Sequence, residues 1–103
     1  MEHLAEFTIA TVRGGAEYAR VILRGDLDHH SGLRLRTELS AVLDTGVRYL
    51  TVDFAGVRGC DEGVLDTLDW AARRAAAQRG WLALTGVNHH LRFAPEGHWP
   101  RDR

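Results

Sequence analysis

The sequence predicts an α/β domain built on a mostly parallel sheet of about four strands, in the order β-β-α-β-α-β with a short helical segment after the last strand. Three observations predict it. Short apolar runs with strand character alternate with longer stretches whose apolar residues recur at helical spacing. Glycines punctuate the joins between them. Only the first two strand-like runs are joined by a connection too short for a crossover, so every later pairing calls for a right-handed β-α-β unit.

Phe7 to Val12 alternates at period two, and Gly14-Gly15 is a turn signal before a second run, Ala19 to Arg24; the pair reads as an antiparallel hairpin. In residues 25–46, Asp28 or Ser31 can cap a helix, because a short side-chain oxygen accepts a first-turn N–H. Leu35, Leu39, Val42 and Leu43 then fall on one face, Arg34, Arg36 and Glu38 on the wet side, and Gly46 suits the stop. Arg48 to Phe54 shows little alternation, which suits an internal strand. A second helix is expected from Asp61 or Glu62 to about Arg79, with Val64, Leu65, Leu68, Ala71, Ala72 and Ala75 as its apolar stripe and Gly80 as its end. Trp81 to Thr85 is a fourth strand, and Asn88 to Phe93 one or two helical turns. Pro95, Gly97 and Pro100 mark a loose tail, so the domain is expected over residues 1–94 and the tail over 95–103.

Composition narrows the function classes. At 103 residues the chain is long enough for one core, and 45% hydrophobic and 26% charged residues are globular values. A net charge of −1 gives no global reason to bind nucleic acid or an anionic membrane. A single cysteine cannot form an internal disulfide, and neither a signal peptide nor a spanning apolar stretch is evident, so a cytoplasmic protein is expected.

The stretch from Phe54 to Leu68 concentrates the functional signal. A strand crosses a small-residue segment into a helix whose first N–H groups lack partners and attract negative charge. The loops after Leu27, Val57 and Thr85 are expected to share this edge of the sheet, where open α/β sheets usually carry their sites. The expected partner surface comprises Arg58, Gly59, Cys60, Asp61, Glu62 and Gly63, with Asp66 and Trp70 on the helix that follows.

Three segments carry a family resemblance. GDLDHHSGLRLR (25–36) resembles G-x-L-D-x-x-[ST]-x-x-x-L, and LTVDFAGVRGCDEGVL (50–65) resembles L-x-[LV]-D-[LF]-x-x-V-x-x-[IM]-D-S-[ST]-G-L. RGWLAL (79–84) is similar to R-G-G-x-L-x-L, and the resemblance covers roughly residues 7 to 94. These are the motifs of the STAS domain family of bacterial anti-sigma factor antagonists. The resemblance implies helices packed on one face of a small sheet. It also implies partner switching: an antagonist binds an anti-sigma factor, often an ATP-binding serine kinase, and is released once that kinase phosphorylates a serine following the loop aspartate.

The match departs from the family at that serine. With Asp61 on the family aspartate, Glu62 occupies the phosphoacceptor-equivalent position, Gly63 the second hydroxyl position and Val64 the family glycine, while Leu65 matches again. Sliding by one residue puts Asp61 on the serine and misaligns Leu65 and Leu68, so neither alignment offers a hydroxyl. An exposed carboxylate at a helix N-terminus contributes about 0.3–1 kcal/mol. A phosphoserine carries a charge of about −1.5 to −2 and three acceptor oxygens, so Glu62 mimics it only in part. An ordinary first-turn glutamate explains the residue equally well.

Other residues have local readings. His29-His30 and His89-His90 are expected near the same edge as Cys60 and Asp61, a set that could hold zinc or copper, but the metal-ligand spacings are missing and exposed histidines are the simpler reading. Cys60 reads as a buried, inert thiol rather than a nucleophile, and Asp53 as a carboxylate pinning a neighbouring loop. Trp70 is either a contact residue or packed on the flank of the first helix. No cofactor and no catalytic residue is expected. The leading expectation is a regulatory antagonist that binds an anti-sigma factor without phosphorylation at the family site. The alternatives are a STAS accessory subunit of a lipid or anion transport assembly, or a small-ligand or metal sensor; the oligomeric state is left open.

Overall fold

The computed structural model describes residues 7–87 and 92–94. Its elements are β1 (Thr8–Arg13), β2 (Tyr18–Leu27), α1 (His29–Asp44), β3 (Tyr49–Asp61), α2 (Gly63–Ala77), β4 (Trp81–Thr85) and β5 (Arg92–Ala94). The β-β-α-β-α-β order is the expected one. The sheet runs β1-β2-β3-β4, with β5 also paired to β3. Only the β1–β2 hairpin is antiparallel; β2, β4 and β5 all run parallel to β3. The sheet is therefore mixed, and mostly parallel.

Both crossovers advance in the same direction across the sheet, so their right-handedness puts α1 and α2 on one side. The core lies between. Leu23, Leu35, Leu39, Leu50, Val52 and Phe54 are almost completely buried, and each such side chain contributes about 1.5–3 kcal/mol. The α1 stripe is the expected one, Leu35, Leu39, Val42 and Leu43, preceded by Ser31 and Gly32 at the N-terminal end. A Cβ on Gly32 would lie 3.2 Å from a Val64 methyl, so the helices approach closely at this point. Asp28 rather than Ser31 is the cap: its carboxylate accepts the Ser31 N–H at 2.9 Å. At the far end of α2, Arg79 takes the positive φ of 67°. Gly80 is required for a different reason: a side chain there would collide with the Arg48 backbone.

Four expectations are corrected. First, β3 continues well past Phe54 to Asp61. The long β2 supplies partners for it, Arg24 facing Gly56 and Leu27 facing Cys60, with two register shifts absorbing the extra residues. Gly56 belongs to this extension because a Cβ would come within 2.9 Å of the Arg24 side chain. Second, β4 ends opposite Asp53, so Thr85 itself stops well short of the edge formed by Leu27 and Asp61. Third, residues 92–94 form strand rather than helix, because the outer side of β3 at Gly59–Asp61 is open beyond the end of β4 and accepts them. Residues 88–91, the rest of that expected helix, and the expected tail at 95–103 lie outside the described residues. Fourth, Leu65 leaves the buried stripe of α2 and is 41% exposed; Thr67 is buried in its place.

Candidate functional site

The parallel pairing of Leu27 with Cys60 brings the C-terminal ends of β2 and β3 together. Each strand then enters a helix almost at once, so the N-termini of α1 and α2 sit side by side. On the α1 side, Asp28 accepts the Ser31 N–H, and the Ser31 hydroxyl lies 3.0 Å from the same carboxylate oxygen and 3.2 Å from the Asp26 carbonyl. On the α2 side, Asp61 is 1% exposed and its Oδ1 accepts the Gly63 N–H at 2.7 Å. This closes a turn of the aspartate type and fixes the start of the helix. Glu62 lies between the two, with helical backbone angles and no capping hydrogen bond from its side chain, which is exposed.

Between the two helix starts lies a shallow cleft of about 170 Å³. His29, Leu33 and Arg36 line it from α1, and Asp61, Gly63 and Asp66 from the turn and α2. Two exposed apolar side chains belong to the same end of the helices: Leu33, 53% exposed, and Leu65, 41% exposed. Neither was singled out from sequence as a surface residue. The available signal was phase, since each falls one or two positions off the buried stripe of its helix. Leu33 lies in the lining of this cleft beside both acidic and basic side chains.

The expected surface residues divide into two groups. Arg58, Glu62 and Asp66 are exposed, and Gly63 is half-buried. Gly59, Cys60 and Asp61 are buried. The expectation that these three present themselves in a loop is corrected: β3 runs through them, with Leu27 opposite Cys60 on one side and Phe93 opposite it on the other. Arg58 pairs with Asp26 at 3.3 Å, a mostly exposed contact worth less than about 1 kcal/mol. Trp70 is half-buried on the flank of α1, with the Arg36 guanidinium 4.1 Å above its ring and Arg74 at 5.8 Å. Of the two readings of Trp70, packing on the first helix is the one observed.

Burial, reinforced by the neighbouring Asp61 charge, pushes the Cys60 thiol up to about 12. It is held neutral at physiological pH and is no nucleophile. Asp53 pins backbone as expected, but within its own strand: it accepts the Ala55 N–H at 2.8 Å and pairs with Arg20 at 2.9 Å. The Ala55 hydrogen bond, followed by the Arg20 contact, holds this carboxyl below the ordinary aspartate range, against the opposing effect of burial. His29 and His30 are exposed on the first turn of α1, their rings edge-on at 6.0 Å. His89-His90 lies outside the described residues. Among the described residues, no three histidine, cysteine or acidic side chains are placed to hold a metal ion. No helix among them is long and apolar enough to cross a membrane.

Comparison with known proteins agrees with this geometry. The family model described as "Mlab, STAS domain" matches residues 10–94. Among solved structures, an anti-sigma factor antagonist STAS domain from Rhodobacter sphaeroides superposes with a TM-score of 0.65 at 13% identity, over 82% of this chain and 90% of that one. The anti-sigma factor antagonist SpoIIAA in its unphosphorylated form gives 0.70 at 20% identity, over 79% and 74% of the two chains. The Bacillus cell fate determinant SpoIIAA in its phosphorylated form gives 0.70 at 17%, over 84% and 91%. At these identities the likeness is one of fold. No curated protein sequence matches the chain significantly.

Proposed function

This chain belongs to the STAS domain family, and from that premise we propose that it is an anti-sigma factor antagonist-like regulatory protein. Its partner is an ATP-binding anti-sigma factor of the serine-kinase type, and binding is not controlled by phosphorylation at the family position. It is a binding module, not an enzyme, and acts in the cytoplasm. The observation that carries this reading is the exposed Glu62 on a turn built by a buried Asp61. A carboxylate there offers a partner a permanent anion at a helix N-terminus, where the first N–H groups of α2 favour negative charge. The contact surface is Arg58, Glu62, Gly63 and Asp66, extended by Leu33 and Leu65. The buried Cys60 and Asp61 shape it from below.

Affinity capture with the full chain, followed by binding measurements on the kinase it retains, tests this. Charge reversals at Arg58, Glu62 and Asp66 are expected to weaken binding at least about tenfold, which is about 1.4 kcal/mol. Unchanged binding by all three overturns the site. The hydroxyl-free turn also suits an accessory subunit of a lipid or anion transport assembly. Retention of a membrane ATPase instead of an anti-sigma kinase would select that reading.

A further inference from the structure

The turn that displays Glu62 is aligned by a strand from much later in the chain. β2 pairs with β3 as far as Leu27 opposite Cys60, one residue short of Asp61, and β4 stops opposite Asp53. The strand whose register reaches Asp61 is β5: Arg92, Phe93 and Ala94 lie opposite Gly59, Cys60 and Asp61. What depends on that alignment is the placement of a buried acid. Asp61 is 1% exposed, and its Oδ1 accepts the Gly63 N–H at 2.7 Å. A hydrogen bond that short is lost on a small displacement of either end, and a buried carboxylate deprived of a partner is costly. α2 is anchored to the core independently, through Val64, Thr67, Leu68, Ala71 and Ala75. The other half of the turn, the end of β3, relies on strand pairing for its position.

We propose that β5 is a positioning strand for the Asp61 turn. Its pairing with Gly59–Asp61 holds the carboxylate on the Gly63 N–H, and the surface around Glu62 loses its geometry when β5 comes away. The first half of that statement stands on the geometry alone; the second rests on the partner reading. β5 is only three residues long, and so short a pairing opens at a lower free energy than the long β2–β3 ladder. Opening of β5 then loosens the turn while the core between the sheet and the helices stays closed. The segment that follows β4 thereby controls the partner surface without contributing a side chain to it.

Amide hydrogen exchange by NMR on the full chain tests it. The N–H groups of consecutive strand residues point to opposite sides, so one of Phe93→Pro and Ala94→Pro removes a donor that faces β3. In that variant the Gly63 amide is expected to exchange at least about tenfold faster than in the parent, while the Val52 amide, where β3 lies between β2 and β4, changes less than about twofold. Cys60, opposite Phe93, should be alkylated faster in the same variant. Affinity for the anti-sigma factor proposed as the partner should fall at least about tenfold. Unchanged Gly63 exchange in both variants overturns the proposal. So does loss of Val52 protection along with that of Gly63, which would make β5 part of the global fold rather than a local support. Faster Gly63 exchange with unchanged affinity overturns the claim on the partner surface. A chain that binds no such kinase sinks the partner reading alone and leaves the exchange result standing.

Discussion

The carboxylate of Asp61 accepts the N–H of Gly63 at 2.7 Å, from a side chain that is 1% exposed, and the residue bridged by that bond, Glu62, is left in solvent. One acid builds the turn and its neighbour is displayed on it. The two should therefore respond unequally to mutation. Asp61→Ala removes the turn's hydrogen bond from a buried site and is expected to destabilise the fold by about 1–3 kcal/mol in urea denaturation. Glu62→Ala is expected to stay within about 0.5 kcal/mol. Equal effects would show that the division of labour is wrong.

Gly80 is expected to be intolerant of any side chain. A Cβ there overlaps the Arg48 carbonyl, and the same region carries the Trp81 N–H to Arg48 O bond at 2.9 Å that starts β4. Gly80→Ala should cost about 2 kcal/mol or more, read as a lowered Tm. A Tm within a degree or two of the parent would mean that this crossing is looser than described.

The strand and helix patterns were legible wherever burial keeps a single period. The α1 stripe is the clearest case, because Leu35, Leu39, Val42 and Leu43 all face one core. The second half of β3 was not legible. Gly56 and Gly59 look like loop punctuation, and the two register shifts against β2 reset the alternation. β5 is three residues with no pattern of their own; it depends on β3 leaving an edge open, which no local reading supplies. The turn at Asp61 was located correctly, but its inside and outside were not separated. That needed the extra length of β3, which buries Cys60 and Asp61 while leaving Glu62 exposed.

Cys60 provides a chemical clock for opening of this region. With its thiol pushed up to about 12 by burial, it should resist alkylation at pH 8 in the native state and react only through unfolding. The sign of its pH linkage follows. The unfolded thiol ionises near pH 9 and the folded one near 12, so its contribution is fully present below pH 9 and is lost as the pH rises from about 9 to 12. Cys60→Ala should lack that alkaline component. Rapid native-state labelling at pH 8 would contradict the burial.

Asp53 gives the acid-side counterpart. Its carboxyl lies below the ordinary value of 3.8, chiefly through the Ala55 N–H and then through Arg20. A depressed folded value contributes stability that is present above 3.8 and is lost as pH falls below it, through the folded value. Asp53→Asn should lower stability at pH 7 by about 1–2 kcal/mol and flatten the acid limb of the stability profile, measured by denaturation from pH 7 to 2. An unchanged acid limb would show that this contact does not hold the strand irregularity.

The most direct test of the central claim uses the ATP-binding anti-sigma factor proposed as the partner. Its affinity is measured by calorimetry, with and without prior incubation with ATP, for the parent and for Glu62→Ser. The parent should bind equally well in both conditions and take up no phosphate at position 62. Glu62→Ser should become phosphorylated and lose affinity at least about tenfold after ATP treatment. A parent chain whose binding collapses on ATP treatment, or a Glu62→Ser variant that behaves as the parent does, would contradict the account of this turn.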